Sequence, residues 1–278
     1  MPFVPSLFEP DLKRQWALKH LENLRAEIDH FCDNNLYTVE TEECRETEQY
    51  VIKLFHPNIL CAVQAILTFG DFIGTLHTCL DYIASQLVLQ NGSVVMTSTA
   101  FPTCERANHR GREKFQRATQ GMSPAAIAVV ESFQPYQLGN DYKNHPLWKL
   151  TTMCNIQKHR HIAAFTAKPP WQFRLDGDPD RENWVLNTEQ IENCSIFRFP
   201  LAAKEFIEFN PEGIKTTLRF VAPDEGIDVG YEDLIAMYIY VANNVMAAFA
   251  GFFPDPCVPW HTLLETDAFN SGHTASAN

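Results

Sequence analysis

Basic residues are scarce in this chain: 22 Lys and Arg stand against 34 Asp and Glu, a formal net charge of −12. That deficit argues against sequence-independent nucleic-acid binding, which sums cationic contacts to phosphate. It argues equally against an anionic membrane surface as the main partner. None of the eight cysteines (32, 44, 61, 79, 104, 154, 194 and 257) forms Cys-x-x-Cys. Their scatter beside Leu, Ile and Phe predicts buried, reduced thiols in a cytoplasmic protein. The opening MPFVPSLFEP has no positively charged n-region and carries three prolines, so no secretory leader is expected. The longest apolar windows, near 59–73 and 234–253, are broken by Gln64, Asp71, Asn243 and Asn244, which speaks against a membrane span. Walker, dinucleotide-binding and nucleophile-elbow motifs are also missing, which removes nucleotide-driven and α/β-hydrolase chemistry from the expected classes.

What is present is periodic. Ala17, Leu21, Leu24, Ile28 and Phe31 repeat at three- and four-residue steps behind Asp11, predicting a helix over 11–34 with Asp11 as its cap. LYTVETEE and TEQYVIKLF alternate and predict a hairpin with an acidic, exposed turn. A long helix is expected over 58–90, with Gly70 on its packing stripe and Gly92 stopping it. A loop over 91–111 follows, of the kind that serves as a lid or binding segment. Further helices are expected at 112–120, at 124–133 behind Ser123, and at 146–166 behind Pro146. From Trp171 the period changes to two: WQFRL, NWVLN, CSIFRF, EFIEF and IKTTLRFV read as strands. A largely buried helix is expected at 231–252.

These elements predict an α+β fold, a bundle of about four main helices beside one antiparallel sheet. A single domain is expected over 1–270, helix-rich at 11–168 and strand-rich at 171–222, with a disordered tail at 271–278. The alternative is a helical half and a β half divided near Pro169-Pro170.

Two helical segments carry the candidate chemistry. His77 and Asp81 lie four apart on the long helix, where a carboxylate can orient an imidazole. Asn155 and His159 repeat that spacing in HPLWKLTTMCNIQKHRH, residues 145–161. Facing one another, they would build a polar island with Lys158 and Arg160 at its rim and His145 at the start of the helix. The island would serve acid–base chemistry or an anion pocket. A purely structural hydrogen-bond network is the preferred reading, since such networks also place ionisable groups inside folds.

His77, Asp81, His145, His159 and His161 include metal-ligand types, but without H-x-x-x-H spacing and with Lys158 and Arg160 close by, no metal is expected. No cofactor is expected either. Cys154 and His159, five apart, suit a thiol–imidazole pair poorly. A second charged run, residues 105–117, holds Arg106, His109, Arg110, Arg112, Lys114 and Arg117; it reads as a phosphate-contacting patch or, preferably, a solvated helix face.

The combination of GDFIGTLHTCLDYIA (70–84), Phe101-Pro102, Gln134-Pro135-Tyr136, His145-Pro146-Leu147-Trp148 and Lys158-His159-Arg160 resembles a family of hypothetical bacterial proteins, over about residues 12–166. Members resemble one another in having Asp where this chain has Gln157, and Arg where it has His77. The resemblance implies a shared fold unit and no reaction. A fainter likeness is to HEPN domains, helical bundles that often act as ribonucleases; Arg106 with His109 and His159-Arg160-His161 do not match their spacing. The leading expectation is therefore a protein binding a small polar or anionic ligand. Its rivals are a metal-independent ribonuclease using His159 or His109, and a homo-oligomer paired through the apolar 234–253 helix.

Overall fold

The computed structural model describes residues 4–34, 38–55, 62–159, 164–167, 174–175, 187–191, 194–208 and 218–253. The fold is α+β, and the chain divides into two compact units. One comprises Met1–Leu18, Ile73–Cys154 and Ala236–Asn278, the other Lys19–Phe72 and Asn155–Ile235. The division falls within four helices: α1 (Phe8–Asn34), α2 (Val63–Gln90), α5 (Pro146–His159) and α6 (Tyr231–Ile239).

The first unit is helical where described. It adds α3 (His109–Ala118), α4 (Pro124–Ser132) and a 3₁₀ segment, Pro135–Asn144, broken at Gly139. α6 continues as a π segment, Tyr240–Met246, and closes with α7 (Ala247–Phe249) and a 3₁₀ turn. Leu76, Leu80, Ile83, Leu87, Leu147 and Leu150 are buried here together with Met237, Val241, Val245 and Phe249. Phe101 and Phe133 meet Phe249 at ring-centroid distances of 6.2 and 6.3 Å. Among the described residues, Tyr231–Phe252 is the one helix long and apolar enough to cross a membrane by length and composition. Of its apolar side chains, Met237, Val241, Val245, Met246 and Phe249 are buried in this unit, whereas Ile239, Ala247 and Ala248 are exposed.

Two termini follow the sequence closely. Ser123 accepts from the Ala126 N–H ahead of Pro124, as its position predicts. Gly92, at φ +70°, ends α2 with its N–H on the Leu89 carbonyl, while Ser93 N–H reaches the Val88 carbonyl. The first helix differs: it begins at Phe8, not 11. Asp11 is no cap but a buried partner of Arg14, whose Nε lies 2.8 Å from its Oδ1. Arg14 also donates to the Tyr238 hydroxyl at 2.5 Å. Burying this pair is tolerable because each charge is both paired and hydrogen-bonded.

The second unit holds every described strand. β1 (Thr38–Cys44) and β2 (Gln49–Phe55) form the expected hairpin, with Glu48 at φ 50° in its turn. β5 (Asn187–Ile191) and β6 (Cys194–Pro200) complete a four-stranded sheet ordered β1-β2-β6-β5. A strand preceding α2 thus pairs with one far along the chain, Ile52 opposite Phe197.

Among the described residues, the strands of the single expected sheet are divided among three. β3 (Ala164–Ala167), β8 (Leu218–Ala222) and β9 (Ile227–Val229) make the second, ordered β3-β8-β9. β4 (Arg174–Leu175) and β7 (Ile207–Glu208) make the third. Residues 164–167 are therefore strand rather than the end of a helix, because main-chain pairing with β8 overrides local helix preference. EFIEF is split between a 3₁₀ segment, Leu201–Phe206, and β7. The positions 56–61, 160–163, 171–173, 183–186 and 271–278, on which other expectations fell, lie outside the described residues.

The core of this unit collects Leu24, Ile28, Phe31, Ile52, Leu54, Phe197 and Phe199, with Phe69 stacked on Phe220 at 3.9 Å. Gly70 does serve close packing: a Cβ there would stand 2.1 Å from Gln157 Nε2.

Candidate functional site

The segment from Phe101 to Asn108 has no regular structure, so its backbone polar groups need partners from elsewhere. Asp81 Oδ1 accepts the Phe101 N–H at 3.1 Å. Gln134, fully buried, accepts the Cys104 N–H at 3.0 Å and donates to the Pro102 and Val130 carbonyls, each at 3.0 Å. Tyr136 N–H closes on the Cys104 carbonyl, and the Thr103 and Thr151 hydroxyls meet at 2.9 Å. Trp148 Nε1 then donates to Glu105 Oε1 at 3.0 Å. Partners from α2, the α4 end and α5 fix this loop, so it is a rigid wall rather than a lid.

α3 leaves that wall. Asn108 caps it by accepting the Gly111 N–H at 2.9 Å, and Phe115 and Ala118 anchor its apolar face. Gly111 is required there: a Cβ would meet the Arg106 carbonyl oxygen at 2.0 Å. The helix begins three residues ahead of expectation because Asn108 caps it and Gly111 sits in its first turn without breaking it.

Between loop and helix lies an open cavity of about 810 Å³, whose lining includes Arg106, Arg110, Lys114 and Arg117. Lys114 Nζ donates to the Thr103 carbonyl at 2.9 Å and braces the wall. Arg106, Arg110 and Arg117 form no ion pair among the described residues. Two carboxylates share the lining: Glu105, held by Trp148, and Glu113, 3.5 Å from His109 Nδ1. Burial pushes the Cys104 thiol above its ordinary value, against the pull of nearby Lys114, so it stays protonated.

The other expected positions distribute as follows. His77 Nδ1 lies 3.3 Å from Asp81 Oδ2 in the first unit, outside hydrogen-bond geometry, and has no such partner among the described residues. The contribution of Asp81 is to hold the Phe101 N–H. Asn155, Lys158 and His159 belong to the second unit and are exposed. Arg160 and His161 lie outside the described residues.

His145 is buried and employed as a helix cap: its Nδ1 accepts the Leu147 N–H at 3.2 Å, and its Nε2 lies 3.2 Å from the Tyr240 hydroxyl. With Nδ1 accepting, the proton of the neutral ring belongs on Nε2, facing Tyr240. Burial lowers the pKa of this imidazole below its ordinary value. His109 and Arg112 are exposed and do not line the cavity. Among the described residues, no group of three His, Cys, Asp or Glu could hold a metal ion, and six cysteines form no disulfide.

Helical spacing was the available signal for the cavity. Arg110, Lys114 and Arg117 fall at four- and three-residue steps, whereas Arg112 falls off that face. Nothing local pointed to Gln134 or Asn108 as supports. No family model, curated protein or solved structure matches this chain.

Proposed function

We propose that the protein binds a small anionic ligand in the cavity between the 101–108 loop and α3. The observation that carries this reading is the set Arg106, Arg110 and Arg117, three guanidiniums lining one cavity without a carboxylate partner among the described residues. In a chain of net charge −12, this lining carries four cations against two carboxylates, a surplus that an anion neutralises. Guanidinium forks match carboxylate and phosphate oxygens in pairs, and here a braced wall sets their position. This reading takes up the phosphate-contacting patch of residues 105–117 in preference to an anion pocket at Lys158 and Arg160.

Calorimetric titration with inorganic phosphate at low ionic strength tests the idea. The wild-type chain should bind saturably, and Arg110→Gln should weaken binding roughly ten- to a hundredfold, the loss of one charge-assisted contact of roughly 1.5–3 kcal/mol. A wild type that binds no anion would overturn it.

A second reading rests on the His109–Glu113 pair, next in sequence to Arg110: an imidazole beside a carboxylate can shuttle a proton, as a metal-independent ribonuclease resembling HEPN domains requires. RNA cleaved in EDTA by the wild type and spared by His109→Ala would favour that enzyme; intact RNA favours simple binding. That six described cysteines form no disulfide supports a reducing, cytoplasmic setting.

A further inference from the structure

Arg110, Lys114 and Arg117 run along one face of α3. At 1.5 Å rise per residue, Arg110 and Arg117 stand about 10 Å apart along the axis. Arg106 adds a third guanidinium from the loop, its backbone pressed against Gly111. Because Lys114 is committed to the Thr103 carbonyl, the guanidiniums are the cations left for a ligand. Arg110 and Arg117 leave the helix about 10 Å apart, so a single phosphate engages both only if the two long side chains bend inward, whereas an extended anion meets each where it stands. The two lining carboxylates have neighbours of their own, Glu105 on Trp148 Nε1 and Glu113 beside His109. A cavity of about 810 Å³ also leaves room for an extended anion.

Resting on the anion-binding reading, we propose that the ligand is a linear polyphosphate, free or as the tail of a nucleotide, lying along α3 from Arg106 and Arg110 to Arg117. Recognition is by side-chain forks on a rigid helix, with no need for the glycine-rich phosphate loop that the sequence lacks.

The test titrates the full chain, in EDTA and low salt, with inorganic phosphate, tripolyphosphate and adenosine triphosphate. Tripolyphosphate should bind at least tenfold tighter than phosphate. Arg117→Gln, checked for unchanged circular dichroism, should shrink that ratio below threefold. Adenosine triphosphate binding tighter than tripolyphosphate identifies a nucleotide tail, and weaker or equal binding identifies the free polyanion; either agrees with the proposal. Equal affinity for phosphate and tripolyphosphate overturns the extended ligand while leaving the anion site intact, as does a ratio that Arg117→Gln leaves unchanged. Silence of the wild type toward all three probes overturns the anion site itself, and the extended ligand with it.

Discussion

On the β1–β2 hairpin Glu42 meets Lys53 at 2.9 Å and Glu43 meets Lys204, each pair largely open to solvent. Along the cavity, Arg106, Arg110 and Arg117 face open space and no carboxylate among the described residues pairs with them. Both regions are dense in charge, yet the first spends its charge locally and the second holds it in reserve. On an edge strand such as β1, exposed charges also discourage pairing with a further strand. A charge run therefore acquires a binding role when the backbone behind it is concave, fixed and left electrically unbalanced. Sign and density alone do not distinguish the two cases.

The most damaging way to break this contrast is to remove the support of the concave wall. Gln134→Leu strands the buried Cys104 N–H and the Pro102 carbonyl, and should cost about 3 kcal/mol. Urea unfolding measures this; an unmoved midpoint would mean the loop is not held as described. Anion affinity should fall with it, although Gln134 does not line the cavity.

Gly111→Ala acts more narrowly. Its new Cβ presses on main chain at Arg106, so phosphate affinity should drop roughly tenfold with helix content unchanged by circular dichroism. Gly70→Ala is the matched control: its Cβ meets the flexible end of Gln157, which can swing aside, so anion binding should not change. Equal losses in the two variants would erase the distinction between a site glycine and a packing glycine.

His145 provides a polar contact that should respond to acid rather than to salt. Its folded-state pKa lies below the ordinary value near 6.5, so the unfolded chain binds the proton first. Stability is fully present above about pH 6.5 and is lost as the pH falls from there toward the folded-state value. Protonated Nδ1 can no longer accept the Leu147 N–H. His145→Asn keeps a cap without a titrating group and should flatten thermal stability between pH 7 and pH 5, whereas His145→Ala should cost about 1 kcal/mol at neutral pH. A wild type whose melting temperature is level across that window would contradict this. The smallest effect is expected on the hairpin: Glu42→Gln should leave the urea midpoint within error, because exposed pairs are screened.

What could be read from residues alone follows from how local each cause is. Ser123-Pro124 and Gly92 act on neighbouring backbone, and both helix ends lie where they indicate. The β1–β2 alternation was equally legible. Asp11 looked like a cap because caps and buried ion partners use the same residue; only the distant Tyr238, completing the network around Arg14, separates them. NTEQI carries too few apolar residues to announce a strand, and β5 exists because β6 offers it a ladder. The polar spacing in Asn155 and His159 correctly gives a shared helix face but says nothing about what lies opposite, and the side chains are exposed. Arg106, Arg110, Lys114 and Arg117 were visible as a run. Their concavity depends on Gln134 and Trp148, which hydrogen-bond a segment some thirty to forty residues away, a distance no local pattern spans.

Hydrogen exchange of the full chain with and without inorganic phosphate at low salt tests the central claim most directly. Amides of residues 104–118 should slow markedly on adding phosphate, with the hairpin and the C-terminal turn of α5 unaffected. Unchanged exchange in 104–118, or protection confined to residues 155–159, would contradict the assignment of the site.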